Sequence, residues 1–330
     1  MLIDGYDTLL LDLDGVVYLG PQAVEGAPEA LQQAQKTTKL AYVTNNASRT
    51  PAAIAQHLRE LGAPAEAGDV VTSAQAAARL IAERVPAGAK VLVVGGTGLR
   101  QALRERGLRP VSTAAERPAA VVQGIAPGIS YGLLAEGTLA VRQGALFVAS
   151  NGDSTMPTTR GELPGNGAMV RVIAAATGVE PVYAGKPQPP LHRESIIRTG
   201  AERPLVVGDR LDTDIEGATG AGVDSLLVLT GVAAPVDVLT AVPRHRPTYI
   251  GRDLSALHAP YSEDEVGGWR AEWRGGRLHV EGDGEWIVGL RVAARAAWER
   301  DNTDPAAVAP ALERLDQVLH GAGRGGGATA

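Results

Sequence analysis

The sequence predicts an α/β protein in three parts: a doubly wound parallel-sheet core, an α/β cap inserted into that core, and a small α+β appendix at the C-terminus. Three observations carry this expectation. Short apolar runs alternate with amphipathic stretches from residue 9 to about residue 229, the rhythm of parallel strands covered by helices on both faces. Polar, acid-containing turns follow several of the runs, at the carboxyl ends of strands, where open α/β sheets place their chemistry. The composition then shifts near residue 260: three of the four tryptophans lie between 269 and 286, the fourth being Trp298.

In chain order, residues 9–13 form an apolar run broken only by Asp12, which reads as a buried strand. Residues 28–36 read as a helix and 40–44 as a second strand. Residues 51–61 form a helix with Pro51 at its start and Gly62 just past its end, the usual asymmetry of helix termini. The alternation continues with helices at 74–83, 99–106, 131–142 and 166–176 and strands at 90–94, 119–123 and 146–149. After a loop around Gly185 come helix 191–199, strand 205–207, helix 213–221 and strand 225–229. These elements imply a Rossmann-like core from residues 1–70 and 180–260 with the cap at 71–179; periodicity leaves open whether the strands make one sheet or two. In the appendix, 261–320, segments 269–273 and 277–280 flank Gly275-Gly276 as a hairpin. Residues 286–298 read as a strand running into a helix, and 306–319 as an amphipathic helix. Residues 321–330 are Gly/Ala-rich and read as a disordered tail.

Composition excludes several functions. With 330 residues and 45% hydrophobic content the chain can build a sizeable core, but at 4% aromatic that core must be aliphatic. A net charge of −6 argues against nucleic acid, whose phosphates require a basic surface. No cysteine is present, so disulfides, thiolate catalysis and Cys-ligated metals are excluded; this fits a reducing cytoplasm. No apolar run is long enough to span a bilayer, and the N-terminus has no signal-peptide pattern. The six histidines lack zinc spacing; His57 and His192 read as ordinary surface residues of helices. Gly95-Gly96-Thr97-Gly98 lacks the Lys-Ser/Thr of a P-loop and reads as a turn of the cap.

The strongest chemical signal is Asp12-Leu13-Asp14-Gly15-Val16 directly after the first strand. Two carboxylates there are costly to desolvate unless a cation or a proton relieves their repulsion. Mg²⁺, which takes one or two carboxylates plus water and substrate phosphate oxygens, is the expected partner. Thr44-Asn45-Asn46 follows the second strand and offers a hydroxyl and amide donors for phosphate oxygens. Lys186, between Gly185 and Pro187, supplies a fixed ammonium. Asp209 follows strand 205–207 and completes a metal site, Asp212 reads as the N-cap of the next helix, and Asp214 falls in its first turn.

In order and spacing these four features resemble the signature motifs of the haloacid dehalogenase superfamily of aspartyl phosphotransferases, over roughly residues 4–255. The long insertion between Asn46 and Lys186 resembles the p-nitrophenyl phosphatase-like subfamily with a large α/β cap. Within it, 43–49, 163–167 and 207–218 are most similar to actinobacterial glycerol 3-phosphate phosphatases. The resemblance implies a Mg²⁺-dependent phosphomonoesterase acting through a phospho-aspartate. Asp12 would be the nucleophile and Asp14 the acid and base. Asp12, the Asp14 backbone carbonyl and Asp209 would hold Mg²⁺, and Asp214 would support the ion's water shell or Lys186 rather than ligate the ion. Thr44, Asn45, Asn46 and Lys186 would bind the phosphoryl group. An acid at position 14 favours phosphate esters over haloalkanoates, because a halide leaves without a proton. Cap loops 150–158 and 162–169 would select the leaving group, with Asn151, Asp153 and Asn166 facing it; Asn151-Gly152-Asp153 stands where the subfamily often has Asn-Pro-Asp. Glycerol 3-phosphate is the expected substrate, with nucleoside monophosphates or pyridoxal phosphate as alternatives and a phospho-aspartate signalling module as the alternative of another class. The partner expected is a small phosphorylated metabolite, with no nucleic acid or membrane partner, a cytoplasmic location, and a homo-oligomer left open. The related mycobacterial protein suggests an acetyltransferase-like tail, but some 70 residues are too few for a complete acyltransferase; the role of the appendix stays open between an acyltransferase-like remnant, a dimerisation element and a regulatory module, with assembly the plainest reading.

Overall fold

The computed structural model describes residues 1–158, 161–262 and 266–321. The chain opens with strand β1 (Thr8–Leu11), a small hairpin of β2 (Tyr18–Leu19) and β3 (Gln22–Ala23), helix α1 (Ala27–Ala34), β4 (Lys39–Thr44), α2 (Pro51–Glu60), β5 (Val70–Thr72) and α3 (Ser73–Ala82). A second unit follows: β6 (Lys90–Val94), α4 (Thr97–Glu105), β7 (Arg109–Val111), β8 (Ala120–Gln123), α5 (Tyr131–Arg142), β9 (Leu146–Ala149), the hairpin β10 (Thr155–Thr158) and β11 (Gly161–Pro164), α6 (Asn166–Thr177) and β12 (Val182–Tyr183). The chain then returns through α7 (Pro189–Thr199), β13 (Pro204–Gly208), α8 (Glu216–Ala221), β14 (Asp224–Val228), α9 (Pro235–Leu239) and β15 (Tyr249–Gly251).

The strands make two sheets. A six-stranded sheet runs β15-β14-β13-β1-β4-β5 and a five-stranded one β12-β9-β8-β6-β7, and every pairing within them is parallel. The doubly wound α/β core is therefore as expected. Residues 70–72 belong to the first sheet and 182–183 to the second. The short strands at 70–72, 109–111, 182–183 and 249–251 and the 155–164 hairpin carry too few residues for periodicity to reveal them.

Alternation along β1 shows why the sheet needs cover on both faces. Leu9 and Leu11 join Tyr42 and Val207 in one apolar cluster, while Leu10 joins Ala41, Val43 and Val206 in the cluster opposite. Successive strand side chains point to opposite faces, so a strand apolar throughout is stable only in the middle of a sandwich of helices. Val91 and Val93 of β6 enter the same cluster as Leu10, so the second sheet shares an apolar layer with the core through α3 and α4.

The C-terminal segment comprises β16 (Arg270–Arg274), β17 (Arg277–Glu281), α10 (Trp286–Trp298) and α11 (Pro305–Gly321). Its hairpin turns at Gly275-Gly276, both at positive φ, as tight hairpin turns require. Residues 286–298 are helical throughout rather than strand then helix: Ile287, Leu290, Ala293, Ala294 and Ala297 are buried, a helical spacing. The segment packs directly on the core, with Trp269, Leu290 and Val308 in one cluster with Leu227, Val238 and Ile250. Three of its four tryptophans satisfy their indole N–H groups on backbone carbonyls, Trp269 on Glu285, Trp273 on Ala296 and Trp298 on Val238. The tail expected at 321–330 lies, after Gly321, outside the described residues. Among the described residues no helix is long and apolar enough to cross a membrane.

Candidate active site

Adjacent strands β13, β1 and β4 end side by side, and the residues after them converge. Asp12 continues β1, its amide donating to the Val207 carbonyl at 2.8 Å. Asp209 follows β13, and Thr44 is the last residue of β4. The parallel register that pairs Leu11 with both Val207 and Tyr42 brings these side chains to one edge.

Lys186 enters this edge from the loop after β12. Its ammonium, 4% exposed, donates to Asp12 Oδ1 at 2.5 Å, Asp214 Oδ1 at 2.7 Å and the Val43 carbonyl at 3.2 Å. Burial alone would lower this amine, but Asp12 and Asp214 outweigh it and hold the ammonium well above its ordinary range. Burial pushes the Asp12 carboxyl up to about 8 against the pull of Lys186. The short contact to a permanently charged ammonium favours the carboxylate, and a divalent cation would add to that preference.

Asp12, Asp209 and Asp214 each present a carboxylate oxygen within 4.8 Å of the others. Asp209 Oδ2 accepts the Val232 amide at 2.7 Å, whereas Asp209 Oδ1 is buried with no hydrogen-bond partner. Desolvation, then the Asp214 charge, raises Asp209 to about 6. Three carboxylates facing one ammonium leave excess negative charge, and an orphaned buried oxygen is costly unless something binds it. This donor set fits a hard divalent cation such as Mg²⁺. The Asp14 carboxylate is not part of the cluster and is exposed, yet the surrounding protein still raises it above the usual carboxylate range, chiefly by desolvation. Gly15 lies against the cluster at φ +82°, and a Cβ there would meet Asp209 Oδ2 at 2.3 Å, so only glycine fits.

The remaining expected residues separate. Thr44 Oγ1 accepts the Asn46 amide at 3.1 Å. Asn45 clamps the Lys186 peptide: its Oδ1 accepts the Lys186 N–H at 2.8 Å and its Nδ2 donates to the Lys186 carbonyl at 3.2 Å. Asn46 Oδ1 is committed to its own turn, accepting from the amides of Ser48 and Arg49 and from Ser48 Oγ. Asp153 reaches the core from the cap side, accepting from Asn45 Nδ2 at 3.2 Å and Asn151 Nδ2 at 2.6 Å. Asn151 is buried and Asn166 is 1% exposed; Asn166 donates to the Asn151 carbonyl at 2.8 Å, bracing the loop, while its Oδ1 has no hydrogen-bond partner.

Two expectations need correction. Asp212 is not an N-cap. A π-type turn, Leu211–Ile215, precedes α8, which leaves Asp212 to pair with Arg210 at 2.9 Å at the surface, while Asp214 Oδ2 accepts the Arg210 amide at 3.2 Å. His192 is not a surface residue but is 1% exposed. His57 is half-buried, edge-on to Tyr18 with ring centroids 5.3 Å apart.

Comparison with known proteins places this geometry. A haloacid dehalogenase-like hydrolase model matches residues 9–109 and a related HAD hydrolase-like model matches 183–257. The chain is 47% identical over 311 residues to the D-glycerol 3-phosphate phosphatase of Mycobacterium tuberculosis, covering 91% of this chain and 88% of that protein. This chain belongs to the haloacid dehalogenase-like hydrolases. Within that family it is also 41% identical over 254 residues to the acid sugar phosphatase of Staphylococcus aureus, covering 76% of this chain and 96% of the relative. The crystal structure of the M. tuberculosis glycerol phosphate phosphatase in complex with magnesium superposes with a TM-score of 0.88 at 45% identity, covering 95% of this chain and 98% of that one. A GCN5-related N-acetyltransferase-like model matches residues 266–323, so the C-terminal segment has a likeness of its own.

Sequence reasoning did not single out Tyr18, Thr230 or Val232. Tyr18 pairs backbone to backbone with Asp14, and Thr230 Oγ1 donates to the Gly15 carbonyl at 2.5 Å. Their local sequence carries only ordinary hairpin and turn residues.

Proposed function

We propose that this hydrolase is a Mg²⁺-dependent phosphatase that cleaves a small phosphomonoester through a phosphorylated Asp12, with glycerol 3-phosphate as its preferred substrate. The observation that carries the reaction is Lys186 bridging Asp12 and Asp214 beside the unpartnered oxygen of Asp209. The substrate follows from the relatedness over nearly the whole chain to glycerol 3-phosphate phosphatases.

Asp12, Asp209 and the backbone at Asp14 would hold the cation, and Asp214 would steady it and Lys186. Bound there, Mg²⁺ supplies charge that offsets repulsion between an anionic nucleophile and an anionic phosphate. The Asp12 carboxylate attacks phosphorus and the bond to the alcohol oxygen breaks. Asp14, whose raised affinity for protons suits an acid, protonates the departing alkoxide. It then takes a proton from the water that attacks phosphorus, which releases inorganic phosphate and restores Asp12. Lys186 and Thr44 line the path of the phosphoryl oxygens, and Asn45 fixes the Lys186 peptide. The five-stranded sheet serves as the cap, with Asp153 as its polar contact toward the alcohol.

Phosphate release with Mg²⁺ from glycerol 3-phosphate, pyridoxal phosphate, nucleoside monophosphates and sugar phosphates tests this reading. Highest kcat/KM on glycerol 3-phosphate supports it. A clear preference for another ester overturns the substrate, and no turnover on any of them by folded protein overturns the phosphatase.

A further inference from the structure

A cleft of about 990 Å³ lies where the C-terminal segment meets the core, apart from the carboxylate cluster. One wall is α11, with Leu312, Leu315 and Leu319, and Trp286 of α10 lies beside it. The facing wall is the loop after β14, from Leu229 to Val236. The lining is apolar in its walls and acidic in its charges: Glu25, Asp253, Glu313 and Asp316 stand against Arg252, with His320 of the same helix 3.1 Å from Asp316 and the Ser255 amide on Asp253. Glu25 and Glu313 form no ion pair among the described residues.

An apolar cleft with several carboxylates and one arginine favours a ligand with an apolar body and a positive end. Low-dielectric walls focus the negative potential, and Trp286 adds to the apolar lining. The same charges repel phosphate-bearing or carboxylate ligands, so this is not a second substrate site.

The loop that forms the wall also holds the catalytic edge. Leu229 donates its amide to the Arg252 carbonyl at 3.1 Å, Thr230 Oγ1 to the Gly15 carbonyl at 2.5 Å, and Val232 N–H to Asp209 Oδ2 at 2.7 Å. The Ala233 amide donates to the Asp209 carbonyl at 3.0 Å. Gly231 packs so closely that a Cβ there would meet Asp209 Oδ2 at 2.0 Å and Gly15 Cα at 2.8 Å. A shift of this loop therefore cannot leave Asp209 where it is.

We propose that the cleft is a binding site for a small amphipathic amine, and that its occupancy changes the divalent-cation affinity of the Asp209 site through residues 229–233. By linkage, the cation changes amine affinity by the same factor. The coupling rests on Asp209 being a cation ligand; the amine site does not.

Hexylamine serves as the probe, with hexanol and hexanoate as neutral and anionic controls, each titrated calorimetrically into the full chain without Mg²⁺. Saturable hexylamine binding is expected, weaker for both controls and weakened about tenfold in the Glu313→Gln/Asp316→Asn double variant. These side chains are exposed on α11, so the variant keeps its fold and its phosphate release. Mg²⁺ affinity, measured with and without saturating hexylamine, is expected to differ about fivefold or more. Hexanoate binding as tightly as hexylamine, no saturable amine binding, or an unchanged affinity in the double variant overturns the site. Equal Mg²⁺ affinity in both states overturns the coupling. Absence of Mg²⁺ binding to the amine-free protein overturns the coupling and the phosphatase reading together, while the amine titration still decides the site.

Discussion

Asn45 holds the backbone of Lys186 on both sides of its Cα, accepting the Lys186 N–H at 2.8 Å and donating to its carbonyl at 3.2 Å across 141 positions of sequence. The ammonium that bridges Asp12 and Asp214 is therefore aimed by an amide on a neighbouring strand end. Asn45→Ala removes that clamp and also the contact to Asp153. Misplacing a charged group by about 1 Å costs on the order of 10²-fold in rate, so kcat is expected to fall about 10–100-fold with a smaller change in KM. Steady-state kinetics check this; a raised KM with kcat unchanged would mean that Asn45 acts through ground-state substrate binding instead.

Glu194 is fully buried on α7 and pairs with Arg79 of α3, Arg106 after α4 and Arg198, the last two at 2.7 and 2.5 Å. It thereby ties the edge of the cap unit to the core. Breaking a buried ion pair costs about 3–5 kcal/mol; the arginines are 22–29% exposed, and solvent screening reduces that to about 3 kcal/mol. Urea unfolding of Glu194→Gln should show a midpoint lowered accordingly, with the slope unchanged. Wild-type stability in the variant would mean that the network is replaceable.

His192 supplies a pH dependence. Burial, then the Lys186 charge, pushes its pKa from 6.5 down to about 3, and neither ring nitrogen has a hydrogen-bond partner. The folded state holds a neutral ring while the unfolded state takes up a proton below 6.5. This contribution is complete above the unfolded pKa and is lost as pH falls toward 3. Between pH 7.5 and pH 5 the loss is about 2 kcal/mol. His192→Leu removes this increment, so the stability difference between the two pH values should shrink by about that amount in chemical denaturation. An equal difference in both proteins would mean that the ring is protonated in the fold.

What the sequence made legible was the chemistry at strand ends. Asp12, Lys186 and Asp209 stand out because carboxylates and a lysine interrupt or follow apolar runs, and parallel strands bring such positions to one edge. Asp214 was recognisable by type, and the family resemblance gave Lys186 as one group it would support, the contact seen at 2.7 Å; the fate of Asp212 was not legible, because it depends on the π-type turn at Leu211–Ile215, which no composition signals. His192 was misread because one polar residue on an amphipathic helix looks the same on either side of the boundary; its burial depends on Gly217, whose missing Cβ leaves room for the imidazole. Residues 286–298 were read as part strand because Trp, Ile and Val suit strands, and burial against Leu227 and Ile250 decided for helix. The support of Asp209 by the Val232 and Ala233 amides was invisible, since backbone amides carry no sequence signature.

The central claim is that Asp12 carries the phosphoryl group. Wild-type protein and an Asp12→Asn control are mixed with Mg²⁺ and excess glycerol 3-phosphate, quenched during turnover with borohydride, and digested for mass spectrometry. An acyl phosphate at Asp12 is reduced to homoserine, so the account predicts homoserine at position 12 of the wild type alone, with turnover absent in the control. Turnover that persists in the Asp12→Asn protein, or wild-type turnover with no reduced residue at position 12 under conditions that reduce a known acyl phosphate, would contradict it.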